Sequence, residues 1–330
     1  MIDWLTLKID ISNLSEKARE QLDSSSSHIQ KIGSDGELLW NVSSFESLRS
    51  DMRGLAWSYG TELTIAGSPA SVVSDNNVFG TLCVVEGFRM MVHFFQHHMG
   101  VALPLNPSLW TCSRIDVTQN YDLGGQIAVA QALDYLRFAT TRGNNTERKH
   151  STVYWNKSSS MRAGKAYNKF LHAINLTKKN QAHYTPQELK ACENILRLEL
   201  KLGRKWFHKQ TKQWHHFTPQ DLLNEHHDFF RHLANEIEVP TMDSLLDKLI
   251  SVAPTEAQAK SAFSYYCTIM NLGSEVARQT TTKSTHYRHV KNLKLVGLTS
   301  ADLRSGQILS FRPRVITMNP VNSWSEIKVA

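Results

Sequence analysis

Two segments alternate with a period of two, and that alternation constrains the fold more than any other feature of the chain. In "ILRLELKLG" the residues Leu196, Leu198, Leu200 and Leu202 fall on one side, and Arg197, Glu199 and Lys201 on the other. In "CSRIDVT" Ile115 and Val117 share one side, and Arg114, Asp116 and Thr118 the opposite one. Successive strand side chains point to opposite faces, so each segment reads as a strand with one buried and one polar face. A one-residue slip would expose every leucine, which pins the register. "DWLTLKIDI" alternates in the same way, with Leu5, Leu7, Ile9 and Ile11 opposite Thr6, Lys8 and Asp10.

Helical signals are interleaved with these strands. "FGTLCVVEGFRMMVHFFQHHMG" reads as a long amphipathic helix closed by Gly100, and a further helix is expected at about 125–139. Residues 13–34 are polar and Ser-rich, a helix or loop ending in a turn. From about residue 205 the pattern becomes helical, with strand-like alternation returning only in "GQILSFRPRVITM". The expectation is an α+β fold: an antiparallel central sheet with flanking helices, then a mainly helical C-terminal region with a possible helix-turn-helix. The domain division expected is 1–210 and 211–330.

At 330 residues, with 41% hydrophobic and 20% charged residues, the chain has enough material for a full core. It contains no apolar run of the roughly 18–20 residues that span a membrane, and no basic, apolar leader is visible at its start. Cys83, Cys112, Cys192 and Cys267 lack the spacing of a zinc site or a disulfide scaffold, and are expected to be reduced structural thiols. Formal net charge is +7. Its distribution says more: residues 141–180 hold nine Lys/Arg against the single acid Glu147. Those cations surround "STVYWNKSSSMRAGKAYNKF", which reads as a β-hairpin. Like charges on a hairpin repel, so this one points to a polyanion, and nucleic acid is the favoured partner.

Three groups carry possible chemistry. Asp116 and Glu199 lie on polar strand faces, each beside an arginine. If the strands are neighbours they would suit a hard divalent cation such as Mg²⁺ (or Mn²⁺); otherwise each Arg-acid repeat is a solvent-facing ion pair. Tyr167 shares strand parity with Lys165 and Lys169, whose ammonium groups would flank a phenol acting on phosphorus. The alternative for Tyr167 is ordinary packing, and Tyr154 is a second candidate on the same hairpin. "QTTTKSTHYRHVKNLKLVGLTSADL" has a Thr/Ser-rich helix start followed by Arg288, Lys291 and Lys294 along a basic helix ended by Gly297, either a groove-binding or a plain surface helix. The pairs His215-His216 and His226-His227 lack zinc-ligand geometry and read as packing or DNA-backbone contacts; Tyr265-Tyr266 reads as core.

Taken in order, "MIDWL", "DNNVFGT", "SRID", "STVYWN", "AYNK" and "RLEL" resemble the replication initiators of filamentous bacteriophages, the gene II type also called the phage replication protein X family, from Met1 to about Trp206. A weaker echo lies at 284–298. The resemblance implies a distantly HUH-endonuclease-like fold. It also implies a metal-requiring nickase that cuts the plus strand at a double-stranded phage origin and later rejoins the displaced single strand, through a 5′-phosphotyrosine. It puts the nucleophile on Tyr167 with Lys169 as charge partner, and the metal on Asp116 and Glu199. Lys157, Arg162, Lys165, Arg288, Lys291 and Lys294 are the expected DNA contacts. Host helicase and polymerase would be partners, in the host bacterial cytoplasm. This chain departs from the wider pattern in having no His-hydrophobic-His, and in reading Asp75-Asn76-Asn77 where gene II-type proteins often have Gly-His-Asn. A non-catalytic DNA-binding regulator and a water-using metal nuclease remain alternatives.

Overall fold

The computed structural model describes residues 1–50, 53–136, 146–149, 152–231, 236–239, 242–298, 303 and 314–327. Parts of two expected features, the basic stretch at 141–145 and the start of "GQILSFRPRVITM", lie outside these residues.

The chain opens with β1 (Ile2–Asp10) and α1 (Glu16–Ser25), the latter capped by Ser15, whose side chain accepts from the Ala18 amide. A separate two-stranded ribbon follows, β2 (His28–Ile32) with β3 (Leu38–Ser43). Next come β4 (Glu46–Ser50), β5 (Arg53–Tyr59) and β6 (Glu62–Gly67), and the long helix α2 (Val84–Met99). As expected, Gly100 ends α2 with a left-handed backbone, φ 67°. The middle of the chain contributes β7 (Trp110–Asp122), α3 (Gln126–Leu136), β8 (Thr146–Lys149), β9 (Thr152–Trp155) and β10 (Arg162–Asn168). Then come α4 (Lys169–Lys178), α5 (Pro186–Cys192), β11 (Ile195–Leu202), α6 (Arg204–Phe207) and α7 (Pro219–Phe230). The remainder holds β12 (Glu236–Val239), α8 (Met242–Val252), α9 (Glu256–Leu272), α10 (Ser274–Gln279), α11 (Lys283–Leu295), β13 (Arg314–Thr317) and β14 (Asn319–Val321). Strand β12 pairs with β13, a strand beyond residue 205 that the pattern did not announce.

The main sheet runs β4-β5-β6-β1-β7-β11-β10-β9-β8, with β14 added on β7, and every pairing is antiparallel. The two alternating segments of the sequence are its adjacent central strands. Their leucines and Ile115 and Val117 are fully buried beneath a core that also takes Phe88 and Phe95 of α2, Val129 of α3, and Leu222 and Phe230 of α7. Trp214 and Phe217 join the same core, which therefore continues past residue 210 to Phe230. A second core, built on Leu245, Leu249, Tyr265, Tyr266, Ile269 and Leu293, belongs to α8–α11. A third, smaller core gathers Val78, Ala173, Tyr184, Cys192, Ile195 and Val321, and Met318 returns to the first. Both tyrosines of the 265–266 pair are buried, as expected for packing residues. Among the described residues no helix is long and apolar enough to cross a membrane.

Candidate active site

Pairing register decides what the polar face of the sheet presents. Glu199 stands opposite Thr118 on β7 and opposite Lys165 on β10, while Arg197 stands opposite Asn120 and Tyr167. Asp116 pairs with Lys201 on β11 and with Trp4 on β1. All share one parity, so a single face carries Asp116, Glu199, Lys165, Tyr167 and Arg197. Between Ile2 and Trp4 the β1–β7 register shifts, a bulge that brings Asp3 to the same side as Trp4. Asp3, Asp116, Lys165, Tyr167 and Glu199 border one cleft of ≈ 430 Å³, lined also by Asn77, Arg114 and His172.

The carboxylates are held by cations. Arg114 donates to both oxygens of Asp116, Nε to Oδ1 at 2.8 Å and Nη2 to Oδ2 at 2.5 Å. Lys165 Nζ lies 3.1 and 3.3 Å from the two oxygens of Glu199. Burial pushes the Asp116 carboxyl up to about 6, against the Arg114 contact and with further help from the negative charges of Glu199 and Asp3. Asp3 is largely shielded from water, which alone would raise its pKa; Arg197, Lys169 and Lys165 outweigh that and hold it below the usual value.

Tyr167 is 3% exposed. Burial raises its phenol well above the ordinary value, opposed by the charges of Arg197 and Lys165. The Lys165 ammonium sits 4.3 Å from the centre of the tyrosine ring. His172 packs against the ring edge-on, centroids 5.0 Å apart. Desolvation lowers its imidazole to about 3, and its buried Nδ1 has no hydrogen bond.

Lys169 is placed differently from the expectation. Strand alternation stops at Asn168, whose side chain accepts from the Leu171 amide and caps α4, so Lys169 begins a helix. It is wholly buried, donates to Asn77 Oδ1 at 2.8 Å, and is held well below its usual pKa by burial and by Arg197. It does not supply a second ammonium beside the phenol as strand parity implied.

The remaining candidates lie outside the lining of the cleft. Lys157 is exposed, 5.1 Å from the Tyr154 ring centre, and Arg162 pairs with Glu225 at 3.2 Å. Arg288 and Lys291 are exposed on α11; Lys294 is half-buried and lines a second pocket with Arg278 and His286. Turn residues 280–282 join α10 to α11, where Thr282 caps the helix. His226 is fully buried and bonds the Leu198 carbonyl at 3.2 Å, which makes it a packing residue. Sequence periodicity missed Asp3, Asn77 and His172 at the cleft and the enclosure of Arg197 beside it. The bulge, the loop and the helix turn that bring the first three in leave no periodic trace.

The fold and cleft define a class: an antiparallel-sheet protein whose polar face gathers a tyrosine, carboxylates and cations in one place. Residues 1–230 match the family model for the N-terminal part of the phage replication-associated protein of gene II. The chain belongs to that family. It is 25% identical over 311 residues to the replication-associated gene II protein of Enterobacteria phage M13, covering 78% of this chain and 76% of that protein. With the corresponding protein of Salmonella phage IKe it shares 24% over 351 residues, covering 88% and 82%. A solved rolling circle replication initiator from Geobacillus stearothermophilus overlaps 68% of this chain and 78% of its own, at 12% identity and a TM-score of 0.28.

Proposed function

We propose that this chain is a site-specific DNA nicking-closing enzyme that starts and ends rolling-circle replication of a phage genome, with Tyr167 as its nucleophile. The observation that carries the reading is the convergence of Tyr167, Lys165, Asp116 and Glu199 on one cleft of a gene II-family fold.

The chemistry asks little beyond placement and charge. Tyr167 attacks a backbone phosphodiester, leaving a 5′-phosphotyrosine and a free 3′-OH from which host synthesis extends. Bond energy is kept in the phosphotyrosine, so rejoining needs no nucleotide, in keeping with the absence of a Walker-type sequence. Lys165, above the tyrosine ring, favours the anionic phenol and is near enough to serve the scissile phosphate. Neutral His172 fixes the ring against α4.

The donor set fits a hard divalent cation. Asp116 and Glu199 are oxygen donors on adjacent strands, and the raised Asp116 pKa reflects negative charge crowded in a buried place. Among the described residues no group of three His, Cys, Asp or Glu is close enough to hold a metal, so phosphate and water would complete the shell. When bound, Mg²⁺ or Mn²⁺ would polarise the phosphate oxygens. Arg114 and Lys165 pair with the two carboxylates meanwhile.

Origin duplex and displaced single strand are the partners of this reading, with Lys157, Arg162 and the exposed Arg288 and Lys291 as backbone contacts and host helicase and polymerase downstream. Origin DNA incubated with Mg²⁺ and run on denaturing gels tests it: the wild type yields protein-linked DNA and Tyr167→Phe yields none. Nicking that survives in Tyr167→Phe without an adduct would make the protein a water-using nuclease. Binding without any nick would make it a regulator.

A further inference from the structure

Arg197 exposes none of its surface, the largest charged side chain so enclosed among the described residues. Its guanidinium is gripped from one side. Nε donates to Asn120 Oδ1 at 2.8 Å, and Nη2 donates to the carbonyls of Asn77 and Val78 at 2.7 and 2.6 Å. Asn120 is itself locked by donating to the Val78 carbonyl at 2.7 Å. These contacts fix the plane of the fork. Nη1 completes no well-aligned hydrogen bond, although it is buried. The nearest carboxylate, Asp3, stands 3.6 Å away and already accepts from Asn77 Nδ2 at 2.8 Å.

Leaving a buried donor unspent is costly, so such an atom calls for a partner that arrives later. Register puts Tyr167 directly across from Arg197 on the same face. The phenol is close enough that its ionised form would raise the pKa of the guanidinium, by charge and by side-chain hydrogen bonding. The two lysines are held differently: Lys165 pairs with Glu199 and lies over the face of the ring, and Lys169 donates to Asn77. A guanidinium also stays charged at any working pH, which a buried lysine does not.

We propose that Arg197 Nη1 is a reserved donor for the Tyr167 oxygen, making Arg197 a catalytic residue of both cutting and rejoining. The inference rests on Tyr167 being the nucleophile. In cutting, Tyr167 Oη bonds to phosphorus and the P–O3′ bond breaks. The phenolic proton leaves to water, and the released 3′ oxygen takes a proton from water. As the phenol loses its proton, Oη gains negative charge, and Nη1 meets it without any movement of the fork. Rejoining runs the same contact in reverse, with Arg197 stabilising the departing phenolate.

The test uses the full-length protein with origin DNA and Mg²⁺, following adduct formation, DNA affinity and thermal melting for Arg197→Ala, Arg197→Lys and Tyr167→Phe. Loss of one such donor lowers rates by about 10²–10³, and that fall is expected in Arg197→Ala with DNA affinity kept. Added guanidinium or ethylguanidinium should restore about tenfold of it in Arg197→Ala and nothing in Tyr167→Phe. Arg197→Lys keeps a long amine-bearing side chain but neither the fork nor a fixed charge; it is expected to fill the site better than alanine and still react slowly, and it carries the test alone if Arg197→Ala does not fold. Adduct formation at the wild-type rate in Arg197→Lys overturns the proposal. So does a loss in Arg197→Ala that tracks melting and ignores guanidinium. An adduct that persists in Tyr167→Phe removes the nucleophile reading itself, a separate failure.

Discussion

Lys165 and Lys169 stand two residues either side of Tyr167, and the fold treats them in opposite ways. Lys165 keeps its charge: burial would depress it, but Tyr167, Glu199 and Asp3 more than compensate and raise its pKa. Lys169 is depressed by burial and Arg197 and is tied to Asn77. Lys165→Met should therefore slow adduct formation by about 10–100-fold, whereas Lys169→Met should leave the rate near wild type and cost about 1–3 kcal/mol of stability for the stranded Asn77 oxygen. Quench-flow rates and urea melts separate the two. His226 makes a prediction of a different kind. Desolvation holds it down to about 3, against a usual 6.5. Between those values the unfolded chain binds the extra proton, so its contribution to stability is complete above about pH 6.5 and is lost as pH falls toward 3. Melting temperatures at pH 7.5 and 5 should diverge more for the wild type than for His226→Leu. The carboxylates at 116 and 199 were legible in the sequence because strand parity alone puts them on a polar face. Arg197 sat on that same face in plain view, yet the role proposed for it needed the register against β10 and the acceptors at 77–78, which no local pattern encodes.

At the scale of elements, the period-two strands were readable because each buries a full leucine or isoleucine row, so packing and propensity agree. The transition at Asn168 was not: a capping asparagine ends strand parity one residue before Lys169. Residues 13–34 split into a capped helix and one strand of an exposed ribbon, where no buried face imposes a pattern. The active-site hairpin also depends on a close approach that composition does not reveal. A Cβ on Gly203 would lie 2.4 Å from the Ser160 carbonyl oxygen, a backbone atom that cannot swing aside. Gly203 also donates to the Met161 carbonyl at 2.9 Å, tying the end of β11 to the start of β10. Gly203→Ala should destabilise the protein by about 1–3 kcal/mol and loosen the strand bearing Tyr167, seen as a lower melting midpoint together with slower adduct formation.

On the scale of the whole molecule, the two larger cores divide the work. The sheet and its helices through Phe230 carry the cleft, and α8–α11 form a second core with a basic helix on their surface. The family match ends at residue 230, where the helices of the first core end. If α11 grips the duplex while the cleft cuts it, the two functions separate. Arg288→Gln with Lys291→Gln should weaken origin binding and flatten the salt dependence of log K by about 2, since each neutralised phosphate contributes about 0.9 to the slope. Cleavage of a single-stranded origin oligonucleotide should be unaffected. The central claim is narrower: Tyr167 becomes covalently joined to DNA. Mass spectrometry of the tryptic peptide after reaction with a single-stranded origin oligonucleotide and Mg²⁺ tests it most directly. The account predicts a nucleotide adduct on Tyr167; an adduct on Tyr154 or any other residue, or cut DNA with none, would contradict it.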